Sequence, residues 1–527
     1  MTAQQATADR INEVHERSKD LYWDPSYHVP QRDTATMFKL PKRTKDPFRH
    51  LLRLYAPSQQ EKDERMYGSV TDALSRVGNR DLQPRWVESL KVSLPILTLL
   101  EIGAGRMAAI LADSLDNPEL RAGNMAQVVD EIRHYNMQMY LQRYWAKHWI
   151  DPEPFARGLQ LKDKTIGFGP ASGLTQLSAV ADPIAMSING QAVAETAYTN
   201  VIFTAVTEIA AANGDDVTPT VFLSIQSDEA RHMSNGYATL AAVLSEPENL
   251  PMLQIQVDAG LRRLGLMLDG WFGTLYDYSA THRTKSYGEI WDEWVWEDFI
   301  GTYFGRLEPF GLQMPSTAEA ARHHAHTAGH ANALFNYGLW PLGIQRLDPP
   351  TAADCDWLES KYPGWYATYG AFWETIRDLT RPGNSGLATH ALLDFLGDGQ
   401  LPALCNTCSN ACILPTPKES TVRIKQIDGV WLAFCTDFCE FSYVMMKQMA
   451  PGMLPAQTFF QRWDGHSLSE VVQAAGLLRA DGKTLMGQPH LDLDHLWTLD
   501  DLRTADMEIR DPVRLYAERH ASATVVP

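Results

Sequence analysis

From Gln83 to about Gln345, apolar side chains return every third or fourth position with few β-branched alternations, and that period predicts a series of long helices. The stretch before it is different. Residues 1–65 are polar, broken by proline and dotted with Tyr22, Trp23, Tyr27 and Phe38. So little apolar surface cannot close a core, so this stretch reads as an arm laid on another surface and in contact with a second subunit. Residues 350–395 are rich in Trp and Tyr and stay mostly helical as far as Pro382-Gly383. Past Leu401 the period changes: Val422–Ile427, Asp428-Gly429 and Val430–Phe434 read as strand, tight turn, strand, and helical signals return near Leu468. The chain is therefore expected to comprise an arm (1–65), a helical domain (66–398) and a small C-terminal α+β region (399–527).

The most apolar run, Val92 to Leu111, carries Glu101 and Arg106. A membrane span would need roughly 18 uninterrupted apolar residues, so this run reads as a buried helix with a carboxylate in its core. Such a carboxylate must be protonated, paired or bound to metal. Among 527 residues, 46 Lys and Arg against 64 Asp and Glu leave a net charge of −18, which repels nucleic acid. Neither membrane nor nucleic acid is expected as a partner. Residues 1–20 lack the apolar core of a signal peptide, and five of the six cysteines fall in one C-terminal stretch, which suits a metal site in a reducing compartment. The expectation is a cytoplasmic protein.

One five-residue pattern occurs twice, as Asp130-Glu131-Ile132-Arg133-His134 and Asp228-Glu229-Ala230-Arg231-His232. Positions i and i+3 share a helix face, so each copy aims a carboxylate and an imidazole at one point. A single Glu-x-x-His reads as a surface ion pair; two copies sharing flanking Asp and Arg reverse that reading. Ferritin-like di-iron bundles take Glu-x-x-His from two helices and one inward Glu from each of two others. Glu101 and Glu195 lie about a helix length before the two copies. Glu208 competes with Glu195, but the two stand about 220° apart around a helix, and Glu195 has the more apolar setting. Four carboxylates with two neutral imidazoles balance two Fe(II), and a mixed oxygen and nitrogen set with open positions suits redox iron. Asp130 and Asp228 are placed to accept the outer N–H of the ligand histidines. Thr199 and Gln138 stand one turn beyond Glu195 and His134, while Leu97 and Ala104 flank Glu101. A hydroxyl and an amide beside apolar walls suit O₂ activation next to a hydrocarbon.

Together with Ala194–Asn200, Ala210–Asp215, Asp481–Leu485, Gln488-Pro489-His490 and Leu496–Asp501, these residues resemble the hydroxylase α subunit of the bacterial multicomponent monooxygenases. The resemblance runs from about residue 80 onward. It implies a di-iron oxygenase that inserts one atom of O₂ into a small hydrocarbon, with NADH electrons arriving through a separate flavin and iron–sulfur reductase. It also implies a β subunit, a small γ subunit and a cofactorless coupling protein as partners. By position, Thr199 resembles a threonine that assists proton delivery and Leu97 a pocket gate. Gln138 stands where methane-oxidising members have Cys, so the nearest branch is that for short-chain alkanes and alkenes, with phenol and other aromatic hydroxylases as the alternative.

Cys405-x-x-Cys408 and Cys435-x-x-x-Cys439 bracket the Asp-Gly hairpin, the spacing of a tetrahedral Cys₄ zinc site. Cys412 is a substitute for Cys408, and Cys355 reads as inert. Gly103-x-Gly105-x-x-Ala108 and Gly476–Thr484 imitate nucleotide loops but fail on context and on spacing respectively. The run His323–His330 reads as a solvated helix face. A radical-generating ribonucleotide reductase subunit and a non-enzymatic iron-binding protein are the rival functions.

Overall fold

A proline in the first turn of a helix presets φ and gives up an amide that has no intrahelical partner. Pro84 opens α1 (Pro84–Ser114) and Pro118 opens α2 (Pro118–Trp145) in this way. Asn117 Oδ1 takes the amides of Glu119 and Leu120 at 3.0 and 3.2 Å, so a short link returns α2 antiparallel along α1. In this computed structural model the described residues fall mainly in 36–40, 55–65, 82–145, 182–338, 347–374, 401–407, 411–414, 422–447, 457–485 and 498–520.

A second hairpin repeats the device. Asp182 Oδ1 takes the amides of Ile184 and Ala185 at the start of α3, which spans 183–212. Gly214, at φ 83°, turns the chain. Asp215 Oδ1 then takes the amides of Val217 and Thr218, both at 2.9 Å, and starts α4 (Val217–Leu244). α3 is not uniform: Ile188–Glu195 and Asn200–Ala205 are π-helical, with one α turn, Thr196–Thr199, between them. Such i→i+5 segments are rare and concentrate at functional sites. α2 and α3 both pack on α4. At Gly236 of α4 a Cβ would stand 2.5 Å from the Ala192 amide nitrogen, so glycine lets α4 touch the π run of α3. Trp86 donates to Asp215 and Trp145 to Thr218, which ties α1 and α2 to the head of α4.

Around these four lie α5 (Leu250–Thr274), α6 (Tyr287–Trp291, continued as a π run to Tyr303), α7 (Ala318–Ala325), α8 (Ala328–Gly338) and α9 (Ala352–Lys361). Among the described residues α1 alone has the length and apolarity to cross a membrane, yet most of that stretch is buried inside the protein. Gly103 and Gly105 lie within α1, so they form no phosphate loop.

The histidine run is not a solvated face. His324 Nδ1 lies 2.9 Å from Asp269 and His326 Nε2 3.2 Å from Asp292, while His330 is buried against the Tyr278 hydroxyl at 2.8 Å. Burial pushes the His330 imidazole down to about 3. Acidic and phenolic partners on α5 and α6 and after them, invisible to local periodicity, convert a polar run into an internal contact.

In the C-terminal region, β3 (Arg423–Ile427) and β4 (Val430–Phe434) pair antiparallel from Arg423↔Phe434 to Ile427↔Val430. Asp428 and Gly429 take φ 51° and 80° between them, the two positive values that a tight two-residue hairpin demands. A second ribbon, β1 (Leu401–Leu404) with β2 (Ala411–Leu414), was not evident from the sequence pattern. Gly476 at φ 70° ends α10 (Leu468–Ala475), so the glycine there is a helix cap. Gln488–His490 and Leu496-Trp497 lie outside the described residues.

Candidate metal centre

α1 to α4 each deliver acid to one buried point. Glu101, Glu131, His134 and Glu229 place ligand-type atoms within 4.8 Å of one another, and so do Glu131, Glu195 and His232, so Glu131 belongs to both groups. His134 Nδ1 stands 3.5, 3.4 and 3.4 Å from carboxylate oxygens of Glu101, Glu131 and Glu229. His232 Nδ1 stands 3.4, 2.9 and 4.0 Å from those of Glu131, Glu229 and Glu195. Both motif glutamates thus lie between the two imidazoles, while Glu101 and Glu195 flank one each. The competitor Glu208 is exposed, 13 positions along a helix whose turns are partly π, and is absent from either group.

The outer ring nitrogens pair crosswise. His134 Nε2 lies 3.2 Å from Asp228 and His232 Nε2 3.3 Å from Asp130, each aspartate coming from the other copy of the motif. An acceptor at Nε2 fixes the proton there and leaves the Nδ1 lone pair facing the carboxylates when the ring is neutral. Arg133 donates to Asp228, and Arg231 donates to both Asp130 and Asp228 at 2.8 Å.

These residues fit a cation. Glu131 Oε2, Glu195 Oε2 and His134 Nδ1 are buried with no hydrogen-bond partner, three donor atoms in the two ligand groups that share Glu131. A buried group left so is costly unless a metal or proton meets it. In the metal-free protein protons do part of that work. Burial lifts Glu101 to about 8, and burial with the charges of Glu229 and Glu131 holds Glu195 well above the usual carboxylate range. Burial acts the same way on Glu131, yet the His232 and His134 imidazoles outweigh it and hold that carboxyl at about 2. Burial alone would lower both imidazoles; the surrounding carboxylates hold them well above the ordinary histidine value instead.

Gln138 is buried and its amide donates to Glu101 Oε1, while its own carbonyl meets Thr98. Thr199 is buried at the end of the α turn that separates the two π runs, one turn past Glu195. Leu97 is buried on α1 and Ala104 half-buried one turn past Glu101. Sequence reasoning missed Gln127, whose amide donates to Glu131 at 3.1 Å and to Glu195 at 2.8 Å and whose carbonyl takes the Gln191 amide. Its position four residues before Glu131 was the available signal.

The described residues of the arm rest on this bundle. Thr36 and the Met37 amide bond Asp182, and Tyr55, Gln59 and Lys62 reach Asp130 and Asp228. In the C-terminal region Cys405, Cys435 and Cys439 are buried with sulfurs within 4.8 Å of one another, Cys435 and Cys439 at 3.4 Å. The Asn406 amide, bonded to Ala433 O at 3.0 Å, holds the Cys405 loop on β4. Cys408 lies outside the described residues. Cys412 sits in β2 opposite Ala403, and Cys355 is half-buried in α9.

Residues 23–247 match the family model for methane, phenol and alkene hydroxylases. The large subunit of the propane 2-monooxygenase hydroxylase component from Rhodococcus jostii is 34% identical, across 94% of this chain and 93% of that protein. The methane monooxygenase component A alpha chain of Methylococcus capsulatus is also 34% identical, across 97% and 96%. Among solved structures, phenol hydroxylase from Pseudomonas sp. OX1 superposes with a TM-score of 0.73 at 22% identity, covering 92% of this chain and 97% of that one.

Proposed function

The chain belongs to the methane, phenol and alkene hydroxylase family as the large, catalytic subunit of a multicomponent di-iron monooxygenase, and on that premise we propose its ligands, substrate and partners. The two ligand groups sharing Glu131, with unpaired oxygens and an unpaired imidazole nitrogen turned inward, carry the assignment. Glu101, Glu131, His134 and Glu229 would hold one iron, and Glu131, Glu195 and His232, with Glu229 against His232, the other. When bound, such a pair supplies reductive activation of O₂ and insertion of one oxygen atom into a hydrocarbon.

The protein's own groups do the rest. Asp130 and Asp228 fix the imidazole tautomers. Gln138 and Gln127 orient Glu101 and Glu195. The Thr199 hydroxyl would hold a proton near the metal pair, and Leu97 and Ala104 would keep water from the substrate side. The substrate is a short-chain alkane or alkene, hydroxylated or epoxidised, a reading supported by Gln138 where methane-oxidising members carry Cys and by the nearly end-to-end match of the propane 2-monooxygenase subunits. Phenol oxidation is the second reading. Partners are a β subunit, a γ subunit, a coupling protein and an NADH-dependent flavin and iron–sulfur reductase, in the cytoplasm. Cys405, Cys408, Cys435 and Cys439 hold a structural zinc, since tetrahedral thiolates around zinc stand about 3.8 Å apart. The domain division at 65 and 398 goes with this assignment, the arm meeting the β subunit with the face it turns away from the bundle.

The test is reconstitution. The loaded chain with NADH and propane alone turns over nothing; adding the small subunits, coupling protein and reductase gives propanol carrying label from ¹⁸O₂. Label drawn from water, or turnover without a reductase, overturns the reading. Radical formation without hydrocarbon oxidation would favour the ribonucleotide reductase rival.

A further inference from the structure

Tyr55, Gln59 and Lys62 stand at i, i+4 and i+7, the spacing that puts three side chains on one face of a helix, and the described residues between 55 and 65 are helical. That face is turned to the aspartates behind the two imidazoles. Tyr55 Oη donates to Asp130 Oδ1 at 2.9 Å and lies 3.2 Å from Ala126 O. The Gln59 amide donates to Asp228 Oδ1 at 3.1 Å, and the Lys62 ammonium pairs with the same oxygen. Arg231, which links the two aspartates, has its guanidinium 5.1 Å from the centre of the Tyr55 ring.

The division of atoms gives the arm its leverage. On each aspartate Oδ2 faces the imidazole: Asp228 Oδ2 meets His134 and Arg133, and Asp130 Oδ2 meets His232 and Arg231. Oδ1 faces the arm. Without Gln59 and Lys62, Asp228 Oδ1 keeps Arg231, and water reaches a carboxylate that is now fully buried. A carboxylate free to turn no longer fixes the ring it supports, and loss of such an outer partner costs metal sites about tenfold or more in affinity.

We propose that the 55–62 segment is a latch whose seating positions His134 and His232, and that its seating and metal occupancy are thermodynamically linked. Tyr55, Gln59 and Lys62 are positioning residues, acting through Asp130 and Asp228. Linkage is reciprocal: whatever factor the seated latch adds to metal affinity, bound metal adds to the seating of the latch. The inference rests on the metal assignment above.

The test uses the full chain, metal-free and loaded with Co(II). Hydrogen exchange of amides 55–62 should slow at least severalfold on loading. In the Gln59→Leu/Lys62→Met double variant a chelator should strip cobalt about tenfold faster, with a shifted cobalt absorption spectrum. Tyr55→Phe should give a smaller change in both. Lys39→Met, which removes an exposed arm contact to Glu248, should leave the stripping rate and spectrum unchanged. Two cobalt ions bound with no change in exchange at 55–62, or equal effects of Lys39→Met and the double variant, overturn the latch and leave the metal assignment intact. Failure to bind cobalt overturns the metal assignment itself. If the double variant does not fold, the exchange comparison on the unaltered chain still decides.

Discussion

In α2, the imidazole of His134 is backed by Asp228, which also meets Arg133, Arg231, Lys62 and Gln59. In α4, the imidazole of His232 is backed by Asp130, which meets Arg231 and Tyr55. The five-residue motifs match, but the charge around them does not. Among the contacts described, Asp228 meets three cations and Asp130 a guanidinium and a phenol; a carboxylate beside more cations is the weaker acceptor, so on the proposed assignment Asp130 leaves His232 the more electron-rich ligand. The carboxylates differ too: the Gln138 amide sits on Glu101, whereas that of Gln127 is shared between Glu131 and Glu195. On the proposed assignment the repeated motif gives two metal positions of unequal character, and the contacts of Lys62, Gln59, Tyr55, Gln138 and Gln127 that help to distinguish them come from outside the repeat.

The strongest way to break this comparison is to remove what the halves share. Glu131→Ala should take the chain from two irons to almost none, while Glu101→Ala and Glu195→Ala should each retain about one, read as metal per chain. Glu208→Ala should retain both. A Glu131 variant that keeps one iron would show that the two positions are separate, and iron lost from Glu208→Ala but kept in Glu195→Ala would move the ligand along α3.

Acidity provides the next test. In the metal-free protein the imidazoles and Glu101 have folded values above their unfolded ones, 6.5 for histidine and 4.5 for Glu101, which rises to about 8. Their contribution is full at low pH and is lost as pH rises through the folded values. Glu131, held at about 2, acts oppositely, and its contribution is lost only as pH falls below the ordinary carboxylate range. Metal-free protein should therefore lose thermal stability between about pH 4.5 and 8, and the gain in Tm on loading iron should widen over the same interval. Glu101→Gln should flatten the metal-free slope more than Glu131→Gln. A gain that narrows with rising pH would contradict the proton-for-metal exchange.

The smallest effect on the iron pair belongs to the thiols. Cys435→Ser should remove about one zinc per chain and lower Tm, with iron content and its spectrum unchanged. Iron lost with zinc retained would mean that the thiol cluster and the iron pair are not independent sites.

Long regular helices explain how much was legible beforehand. In regular helices a residue's face follows from its position, so spacing alone put each Glu and His of the motif on one face, the pattern of ferritin-like di-iron bundles then added Glu101 and Glu195, and Asp428-Gly429 announced its turn by residue type. The crosswise aspartates could not be assigned, because Asp130 and His232 meet through the angle between α2 and α4. Nor could Tyr55, Gln59 and Lys62, which contact residues far along the chain with no period connecting them. The π runs around Thr196–Thr199 leave no compositional mark that distinguishes them from ordinary helix. The histidine run misled for the same reason: Asp269 and Asp292, its partners, lie elsewhere in the chain.

Because Asp130 serves His232 and Asp228 serves His134, a lineage that alters one copy of the motif damages the other. Two ordinary duplicated segments can drift apart, one keeping the ancestral role while its twin explores. Here an Asn in place of Asp130 weakens a histidine encoded far downstream, and repair must come from that second place. The pair is inherited as one unit, so descendants are expected to vary Gln138, whose amide meets Glu101, long before they vary either aspartate.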